Sequence, residues 1–343
     1  MNHKMYHLSH TDLDGYACQM VTAMYFKNIS FYNSNYGKEI NECFDSILKE
    51  IQISNDMQHI ILITDVNLTM EQAKEFNSKV NLCEKDVLLL LLDHHKSGQE
   101  CSDEYEWYFM DPTRSATKIT YDFFASIFEP NEEMEHFVNI VNSVDIWLED
   151  KQEFELGKVL LGLVSGAREV NRIMFPQENT DYIFSLLNQS QKFFKKENPH
   201  IVLDDHVHKL KKYFFKHKNN TDDTLSNLVS NYIVKLLTKN KDKMQIIYKE
   251  YKGILTYNIG SVSVIGNDFL NANPDIDFFM DVTSKKTISL RSNGKVDVSK
   301  MAAHIANGGG HPNASGGLLN TFKDSFIYDD IKSQIVNIIS SKG

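Results

Sequence analysis

The sequence predicts an α/β protein with an N-terminal open parallel sheet, a helical connector and a smaller C-terminal α/β domain. The runs His59 to Thr64 and Val87 to Leu92 have the continuous apolar character of strands that are covered on both faces. Helical apolar spacing lies between them, as in Glu71 to Ser78. At about 150 residues per domain, a chain of 343 residues has room for two domains.

The remaining elements follow the same two periodicities. In the first domain, a strand at Lys4 to Ser9 and a helix at Gly15 to Phe26 precede the apolar strands. In the last domain, a helix at Val298 to Ala306 runs into the glycine-rich segment NGGGHPNASGG. The strands expected before that helix are Lys252 to Tyr257, Ile276 to Val282 and Thr287 to Arg291.

A change of composition separates the two domains. Residues 191 to 252 contain 14 Lys and 7 Asp or Glu, with few strand signals. We interpret this stretch as a solvated helical connector, and steering of polyanions is the alternative. The predicted boundaries are residues 1–190 for the first domain, 191–245 for the connector and 246–343 for the last domain.

Charge and composition exclude several classes of protein. The net charge of −10 argues against a protein that grips long duplex nucleic acid through a basic surface. The longest apolar run, Val87 to Leu92, is far shorter than the roughly 20 residues of a membrane span, and the N-terminus lacks the apolar stretch of a signal peptide. We therefore expect a cytoplasmic location. Four cysteines without a C-x-x-C pair predict free thiols.

Acidic and histidine residues gather where predicted elements end. Because the carboxyl ends of parallel strands form the ligand crevice of an open sheet, we expect these side chains to converge there. In the first cluster, an extended backbone would turn both carboxylates of Asp12 and Asp14 to one face, and Gly15 would let the chain turn into a helix. The clusters are His10, Asp12 and Asp14, then Asp65, then Asp93, His94 and His95, and finally Asp145 on a later helix.

This set of ligands predicts a metal site. Carboxylates on one face repel each other unless a cation lies between them, and oxygen and imidazole donors without thiolates favour Mn²⁺ or Mg²⁺ over Fe²⁺ or Zn²⁺. Six ligands suit two ions that share one carboxylate. Two such ions, about 3.5–4 Å apart, can clamp a phosphoryl group and generate hydroxide, so phosphoester hydrolysis is the expected reaction.

The motifs resemble those of a known superfamily. SHTDLDG, ITDVN, LLDHHKSG and NSVDIW are similar to the four motifs of the DHH phosphoesterases, and ISLRSNGKVDVSKMAAHIANGGGHPNASGG is similar to the DHHA1 domain that accompanies them. Within the superfamily, MYHLSHTDLDG, TRSATKITYDFF and GNDFLNANPDIDFF are most similar to the oligoribonuclease B type, also called nanoRNase B. The resemblance implies a catalytic DHH domain followed by a substrate-binding DHHA1 domain.

The resemblance also implies roles for individual residues. His10, Asp12 and Asp65 would hold a first ion, and Asp65 would bridge to a second ion that is held also by Asp14, His94 and Asp145. The catalytic residues would be His95, which faces the scissile phosphate as a hydrogen-bond donor or acid, and Asp93. The neighbouring His7 is interpreted as structural.

The last domain is expected to recognise the rest of the substrate. Arg291 could make a bidentate phosphate contact, and His311 could donate to a phosphate oxygen. Backbone amides of Gly308, Gly309 and Gly310 could approach a phosphate closely, although a triple glycine alone is more often a flexible turn. Arg114 precedes Ser115, a predicted helix N-cap, and either contacts substrate or lies on the surface.

The sequence therefore predicts a metal-dependent phosphodiesterase with two divalent ions, Mn²⁺ before Mg²⁺. The expected substrates are short oligoribonucleotides, cleaved to nucleoside monophosphates by a metal-activated hydroxide. Hydrolysis of cyclic or linear dinucleotides, or of 3′-phosphoadenosine 5′-phosphate, is the alternative within the superfamily. A longer-range single-strand exonuclease and an inactive nucleotide-binding module are further rivals. No membrane partner is expected, and the oligomeric state stays open, with a homodimer as one option.

Overall fold

The chain divides into two compact units. The computed structural model describes residues 3–56, 58–216 and 223–342. The first unit comprises Met1–Ala167 and Thr180–Val207, and the second comprises Arg168–Asn179 and His208–Gly343. The predicted domain boundaries after residues 190 and 245 stay a prediction.

The first unit is built on a five-stranded parallel sheet, as the continuous apolar runs predict. Its strand order is β2-β1-β3-β4-β5, and every neighbouring pair is parallel. This order places a topological switch point between β1 and β3, where ligands bind in open α/β sheets. The strands are β1 (His3–Ser9), β2 (Ile29–Asn33), β3 (Gln58–Thr64), β4 (Asp86–Asp93) and β5 (Tyr108–Met110).

Helices cover both faces of this sheet. Successive strand residues alternate between the faces, so that Tyr6 packs in one core with the stacked rings of Phe44 and Phe76, and Met5 packs in the other with Val138. Short 3₁₀ turns occupy Lys96–Gly98 and Gln191–Phe193. The helices of the first unit are α1 (Leu13–Tyr25), α2 (Lys38–Ile53), α3 (Met70–Asn81), α4 (Gln99–Glu104), α5 (Ala116–Ala125), α6 (Glu132–Asp145) and α7 (Phe154–Ser165). Two further helices, α8 (Pro176–Ser190) and α9 (Pro199–Phe215), each have one end in the first unit and the other in the second.

The second unit contains a six-stranded mixed sheet. Its order is β10-β11-β9-β8-β7-β6, and among the neighbouring pairs only β7 and β8 run parallel in the part of the chain that the structure describes. The strands are β6 (Gln245–Tyr248), β7 (Tyr251–Tyr257), β8 (Phe278–Val282), β9 (Thr287–Ser292), β10 (Gly309–His311) and β11 (Ala314–Leu318). The helices are α10 (Leu225–Met244), α11 (Val262–Ala272), α12 (Val298–Ala306) and α13 (Tyr328–Ser340).

The predicted fold class is confirmed, and one local expectation needs revision. Gly309 and Gly310 do not form the flexible turn that a triple glycine alone would suggest, since they belong to β10 and pair with Gly316 and Ser315 of β11. The stretch from 191 to 252 is mostly helical in its described part, but it also holds β6. All four cysteines are free thiols, as expected. Among the described residues, no helix has both the length and the apolar character needed to cross a membrane.

Candidate active site

The first cluster lies where β1 ends and α1 begins. Asp12 is the N-cap of α1, with an extended backbone and a side chain that accepts a hydrogen bond from the Gly15 amide at 3.1 Å. Asp14 already belongs to the first helical turn. The expected extended Asp-x-Asp arrangement is therefore wrong, because the helix begins one residue after Asp12 and directs the two carboxylates to different neighbours.

The structural reason for a glycine at position 15 also differs from the expected tight turn. Gly15 adopts no left-handed conformation, and it lies inside α1. A Cβ atom at this position would lie 2.4 Å from the carbonyl oxygen of His10. Glycine is thus required by the close approach of the His10 backbone to the helix rather than by a turn.

Asp65 occupies the centre of the site in a strained backbone conformation. It follows β3 directly, has a φ of +58°, and is 2% exposed. A left-handed aspartate costs on the order of 1 kcal/mol or more, and such strain concentrates at functional sites. Its Oδ2 atom is buried and has no hydrogen-bond partner among the described residues.

Two groups of potential metal ligands meet at Asp65. In the first, the Nδ1 atom of His10 lies 2.8 Å from Asp12 Oδ2 and 3.8 Å from Asp65 Oδ2. In the second, the Nε2 atom of His94 lies 3.3 Å from Asp65 Oδ1, 3.5 Å from Asp145 Oδ2 and 3.9 Å from Asp14 Oδ2. The structure thus brings together all six residues that the sequence suggested as ligands, and these acidic and histidine groups could hold metal ions.

The electrostatics of these groups call for a positive charge. Burial, reinforced by the charges of Asp14 and Asp12, raises the pKa of Asp65 well above its usual value. Burial and the charge of Asp14 raise the pKa of Asp145 to about 9. Carboxylates held this close cannot all ionise unless a cation compensates them. The orphaned Oδ2 atoms of Asp65 and Asp145 therefore fit a site for divalent cations.

Histidine protonation supports the same assignment. Burial lowers the pKa of His94, which favours the neutral imidazole that a metal ligand requires. His7, by contrast, is fully buried on β1, and its two ring nitrogens each lie 2.8 Å from a threonine hydroxyl, those of Thr22 and Thr64. Burial lowers the pKa of His7 to about 3, so this histidine is a neutral structural residue, as predicted.

His95 and Asp93 lie close enough to Asp65 and His94 to form a further group that could hold a metal ion, and they also contact each other. The Nδ1 atom of His95 lies 2.7 Å from Oδ1 of Asp93, a fully buried residue whose Oδ2 atom accepts from the Tyr108 hydroxyl at 3.4 Å. The Nε2 atom of His95 lies 3.0 Å from the hydroxyl of Tyr36. Burial alone would lower the pKa of His95, but the hydrogen bond and charge of Asp93 outweigh it and raise that pKa. Asp93 thus orients the ring of His95 and has no exposed surface of its own.

Arg114 is engaged in ion pairs within the first unit. Its Nε atom lies 2.7 Å from Oδ2 of Asp111, and its Nη1 atom contacts Asp122. Ser115 caps α5 as predicted, with its hydroxyl accepting from the Lys118 amide. A substrate contact by Arg114 would have to share the guanidinium with these carboxylates, and it stays a prediction.

The remaining predicted substrate-binding residues lie in the second unit. The guanidinium of Arg291, on β9, is oriented by Ser263 Oγ at 2.7 Å and by the carbonyl of Leu290 at 2.8 Å. Gly308 donates its amide to the Ala302 carbonyl at 3.1 Å, so this amide is already paired. Gly309, Gly310 and His311 form the exposed strand β10. Their contact with a phosphate stays a prediction.

Comparison with known proteins gives two relatives that match over more than nine tenths of this chain. The chain is 42% identical to the 3′,5′-cyclic-nucleotide phosphodiesterase of Helicobacter pylori, over 98% of this chain and 99% of the relative. It is 26% identical to the oligoribonuclease NrnB of Bacillus subtilis, over 91% of this chain and 72% of that protein. No protein-family model matches the chain.

A solved structure supports the fold. The crystal structure of an uncharacterized protein from Helicobacter pylori G27 superposes with a TM-score of 0.89 at 41% identity, covering 98% of this chain and 99% of that one. The similarity therefore extends through both units rather than through the sheet of the first unit alone.

Proposed function

Because the chain belongs to the DHH phosphoesterase superfamily and is a phosphoester hydrolase, we propose that it cleaves short oligoribonucleotides to nucleoside monophosphates with the help of divalent metal ions. The observation that carries this proposal is the position of Asp65, whose two carboxylate oxygens face the two separate ligand groups. A carboxylate shared in this way is the expected centre of a site for two ions.

The proposed ligands follow from these distances. One ion would be held by His10, Asp12 and Asp65. A second ion would be held by Asp65 together with Asp14, His94 and Asp145. Mn²⁺ is the first choice, with Mg²⁺ next, because the donors are carboxylates and neutral imidazoles without thiolate. When bound, such ions supply a water-derived nucleophile at neutral pH and offset the charge of a phosphate.

The protein's own groups complete the proposed chemistry. Asp93 holds the Nδ1 side of His95, so that Nε2 is the nitrogen available to a substrate. From there His95 would donate a hydrogen bond to the phosphate or a proton to the leaving ribose oxygen. We propose His95 as the catalytic residue and Asp93 as the residue that positions it.

A preference for small substrates would come from additional anchors. In the second unit, Arg291, His311 and the amides of Gly309 and Gly310 are the proposed contacts to a further phosphate. In the first unit, a groove of about 430 Å³ begins at Tyr36 and is lined by polar groups that include Lys38 and Asn67. It has room for part of a nucleotide and no continuous row of stacking aromatics, which long single strands require.

A second candidate substrate is a 3′,5′-cyclic nucleotide. The relative that is 42% identical over nearly its whole length carries that activity in its name. Cleavage of the cyclic and of the linear 3′,5′-phosphodiester uses the same attack at phosphorus and releases a ribose hydroxyl. Linear or cyclic dinucleotides and 3′-phosphoadenosine 5′-phosphate remain the alternatives within the superfamily.

A substrate panel tests both proposals. With Mn²⁺ present, kcat/KM would be compared for RNA dimers to decamers, pGpG, cyclic AMP, cyclic GMP, cyclic di-AMP and 3′-phosphoadenosine 5′-phosphate. Highest kcat/KM for RNA of two to five nucleotides supports the first proposal, and highest kcat/KM for cyclic mononucleotides supports the second. An absence of hydrolysis of every diester with Mn²⁺ or Mg²⁺ would refute both.

A further inference from the structure

Tyr36 joins two histidines of the site that come from different strand ends. Its ring centroid lies 4.9 Å from that of His10, which follows β1, and 5.8 Å from that of His95, which follows β4. Its hydroxyl lies 3.0 Å from His95 Nε2. The tyrosine belongs to the loop between β2 and α2, and none of the catalytic motifs of the sequence includes it.

The loop that carries Tyr36 is held on both sides of the tyrosine. The Ser34 amide donates to the carbonyl of Ser9 at 3.0 Å, and Asn35 donates to the Glu39 carboxylate through its amide and its side chain. On the other side, Gln72 donates to the carbonyl of Gly37 at 3.0 Å. The backbone on both sides of Tyr36 is therefore held in place, although Tyr36 itself is 44% exposed.

The hydrogen bonds around His95 define the orientation of its ring. Asp93 lies against Nδ1 and is fully buried, so Nδ1 carries the hydrogen and points into the protein. Nε2 then meets the Tyr36 hydroxyl, which can accept from it when the ring is protonated and donate to it when the ring is neutral, so the contact suits both protonation states. A carboxylate fixes one edge of the imidazole and a phenol fixes the other, which removes the rotation that a single hydrogen bond would allow.

We propose that Tyr36 is a positioning residue that acts through His95, by holding the Nε2 edge of the imidazole in the orientation from which it meets the substrate. This inference rests on the proposed function, because it assigns Tyr36 to the same site. The Tyr36 hydroxyl bonds to His95, and among the described residues it makes no hydrogen bond to any of the six proposed metal ligands.

The test is a double-mutant cycle with Tyr36→Phe and His95→Ala. The phenylalanine keeps the ring against His10 and removes only the hydroxyl. We expect Tyr36→Phe to lower kcat roughly tenfold, as for the loss of one neutral hydrogen bond, with KM within about twofold. In the His95→Ala background the same substitution should have no further effect, because a residue that acts through His95 has nothing left to position.

Two controls separate this role from others. Tyr32→Phe removes a hydroxyl from the same region, where it contacts Glu50 and not His95, and should leave kcat unchanged. The Mn²⁺ concentration for half-maximal activity should not change in Tyr36→Phe. Equal losses from Tyr36→Phe in the wild-type and His95→Ala backgrounds, or a raised Mn²⁺ requirement, would overturn the inference.

A spectroscopic measurement keeps the inference separate from the proposed function. In ¹⁵N-labelled protein, the imidazole nitrogens of His95 are assigned by comparison with His95→Ala. We expect Tyr36→Phe to shift the Nε2 resonance and leave the Nδ1 resonance close to its original position. An unchanged Nε2 resonance refutes the positioning role even if no substrate is found, whereas a shifted one in a protein that hydrolyses none of the panel refutes only the proposed function.

Discussion

Thr117 donates two hydrogen bonds to Asp14 across 103 positions of sequence. The Thr117 amide donates to Oδ1 of Asp14 at 3.0 Å, and the Thr117 hydroxyl donates to the Asp14 carbonyl at 2.8 Å. The Ala116 amide donates to the other carboxylate oxygen at 2.8 Å. A residue of the proposed metal site is thus also the group that satisfies the first amides of α5 and ties that helix to α1.

Asp14 thus has both a proposed metal-binding role and a structural role, whereas Asp145, which belongs to the same ligand group, has only the first. Asp145 Oδ2 is buried and has no hydrogen-bond partner among the residues described. In metal-free protein we expect Asp14→Ala to lower the free energy of unfolding by about 1–3 kcal/mol, because buried amides lose their acceptor. Asp145→Ala should leave it unchanged or raise it. Thermal unfolding with chelator compares the two, and equal losses of stability would contradict the distinction.

Asp65→Asn should trade activity for stability. Asparagine tolerates the left-handed backbone at this position, keeps the shape of the side chain and replaces a buried carboxyl whose ionised form the fold disfavours without metal. We expect a higher Tm than that of the wild type in chelator, no rise in Tm on adding Mn²⁺, and loss of hydrolysis. Calorimetry with and without Mn²⁺ measures the two changes in Tm, and an activity assay measures the loss of hydrolysis. A variant that Mn²⁺ still stabilises to the wild-type extent would mean that Asp65 is not shared between the ions.

The ligand groups could be predicted from the sequence because each residue lies within a few positions of a strand end or helix end. An apolar run such as Val87 to Leu92 fixes where its strand stops, and topology then brings His94 and Asp65 together. The direction of each carboxylate could not be predicted in this way. The separation of Asp12 from Asp14 depends on the residue at which α1 begins, and helix ends are read less reliably than helices.

Other contacts leave no local pattern in the sequence. Tyr36 is one aromatic residue in a loop, and its contact with His95 depends on how two strand ends are placed in the sheet. The strand β10 consists mostly of glycine, which has low strand propensity, and it pairs with β11 at close range, since a Cβ on Gly310 would lie 2.7 Å from the Ala314 carbonyl oxygen. Such contacts follow from tertiary packing and not from periodicity.

Gly15→Ala tests the close approach of α1 to His10. Alanine is the better helix former by about 1 kcal/mol, so an effect of helix propensity alone would stabilise the protein. We expect the opposite, together with a higher Mn²⁺ requirement, because the new Cβ must displace the His10 backbone. The matched control is Gly162→Ala in α7, where a Cβ meets nothing within 4 Å and the substitution should stabilise. Similar gains in Tm for both variants would contradict this account.

Arg291→Ala should weaken substrate binding more than it slows the chemical step. Ser263 and the Leu290 carbonyl orient the planar guanidinium, so that it is already placed for a two-point contact with a phosphate. We expect KM to rise by roughly tenfold with kcat nearly unchanged, and Arg291→Lys to restore little. Lys300→Ala removes a cation from an exposed position of the same unit and serves as the control. An equal rise of KM in that control would point to a general effect of charge.

Asp281 gives the second unit a stability that depends on pH. The side chain is 1% exposed on β8, where it accepts hydrogen bonds from the Thr256 hydroxyl at 2.7 Å and the Ile259 amide at 3.1 Å. Burial raises the pKa of Asp281 to about 7, against these two hydrogen bonds, which lower it. In the unfolded chain the same group has a pKa near 3.8. Between these values the folded protein keeps a proton that the unfolded chain has lost.

The sign of the effect follows from that difference in bound protons. The contribution of Asp281 is fully present below pH 4 and is lost as the pH rises through about 7. Relative to Asp281→Asn, which does not titrate, the wild type should lose stability by on the order of 1.4 kcal/mol per pH unit across this range. Denaturation of both proteins in chelator at several pH values measures this difference, since their other carboxylates are the same and cancel. A difference in unfolding free energy that stays constant between pH 5 and pH 7 would show that Asp281 is already ionised in the folded protein.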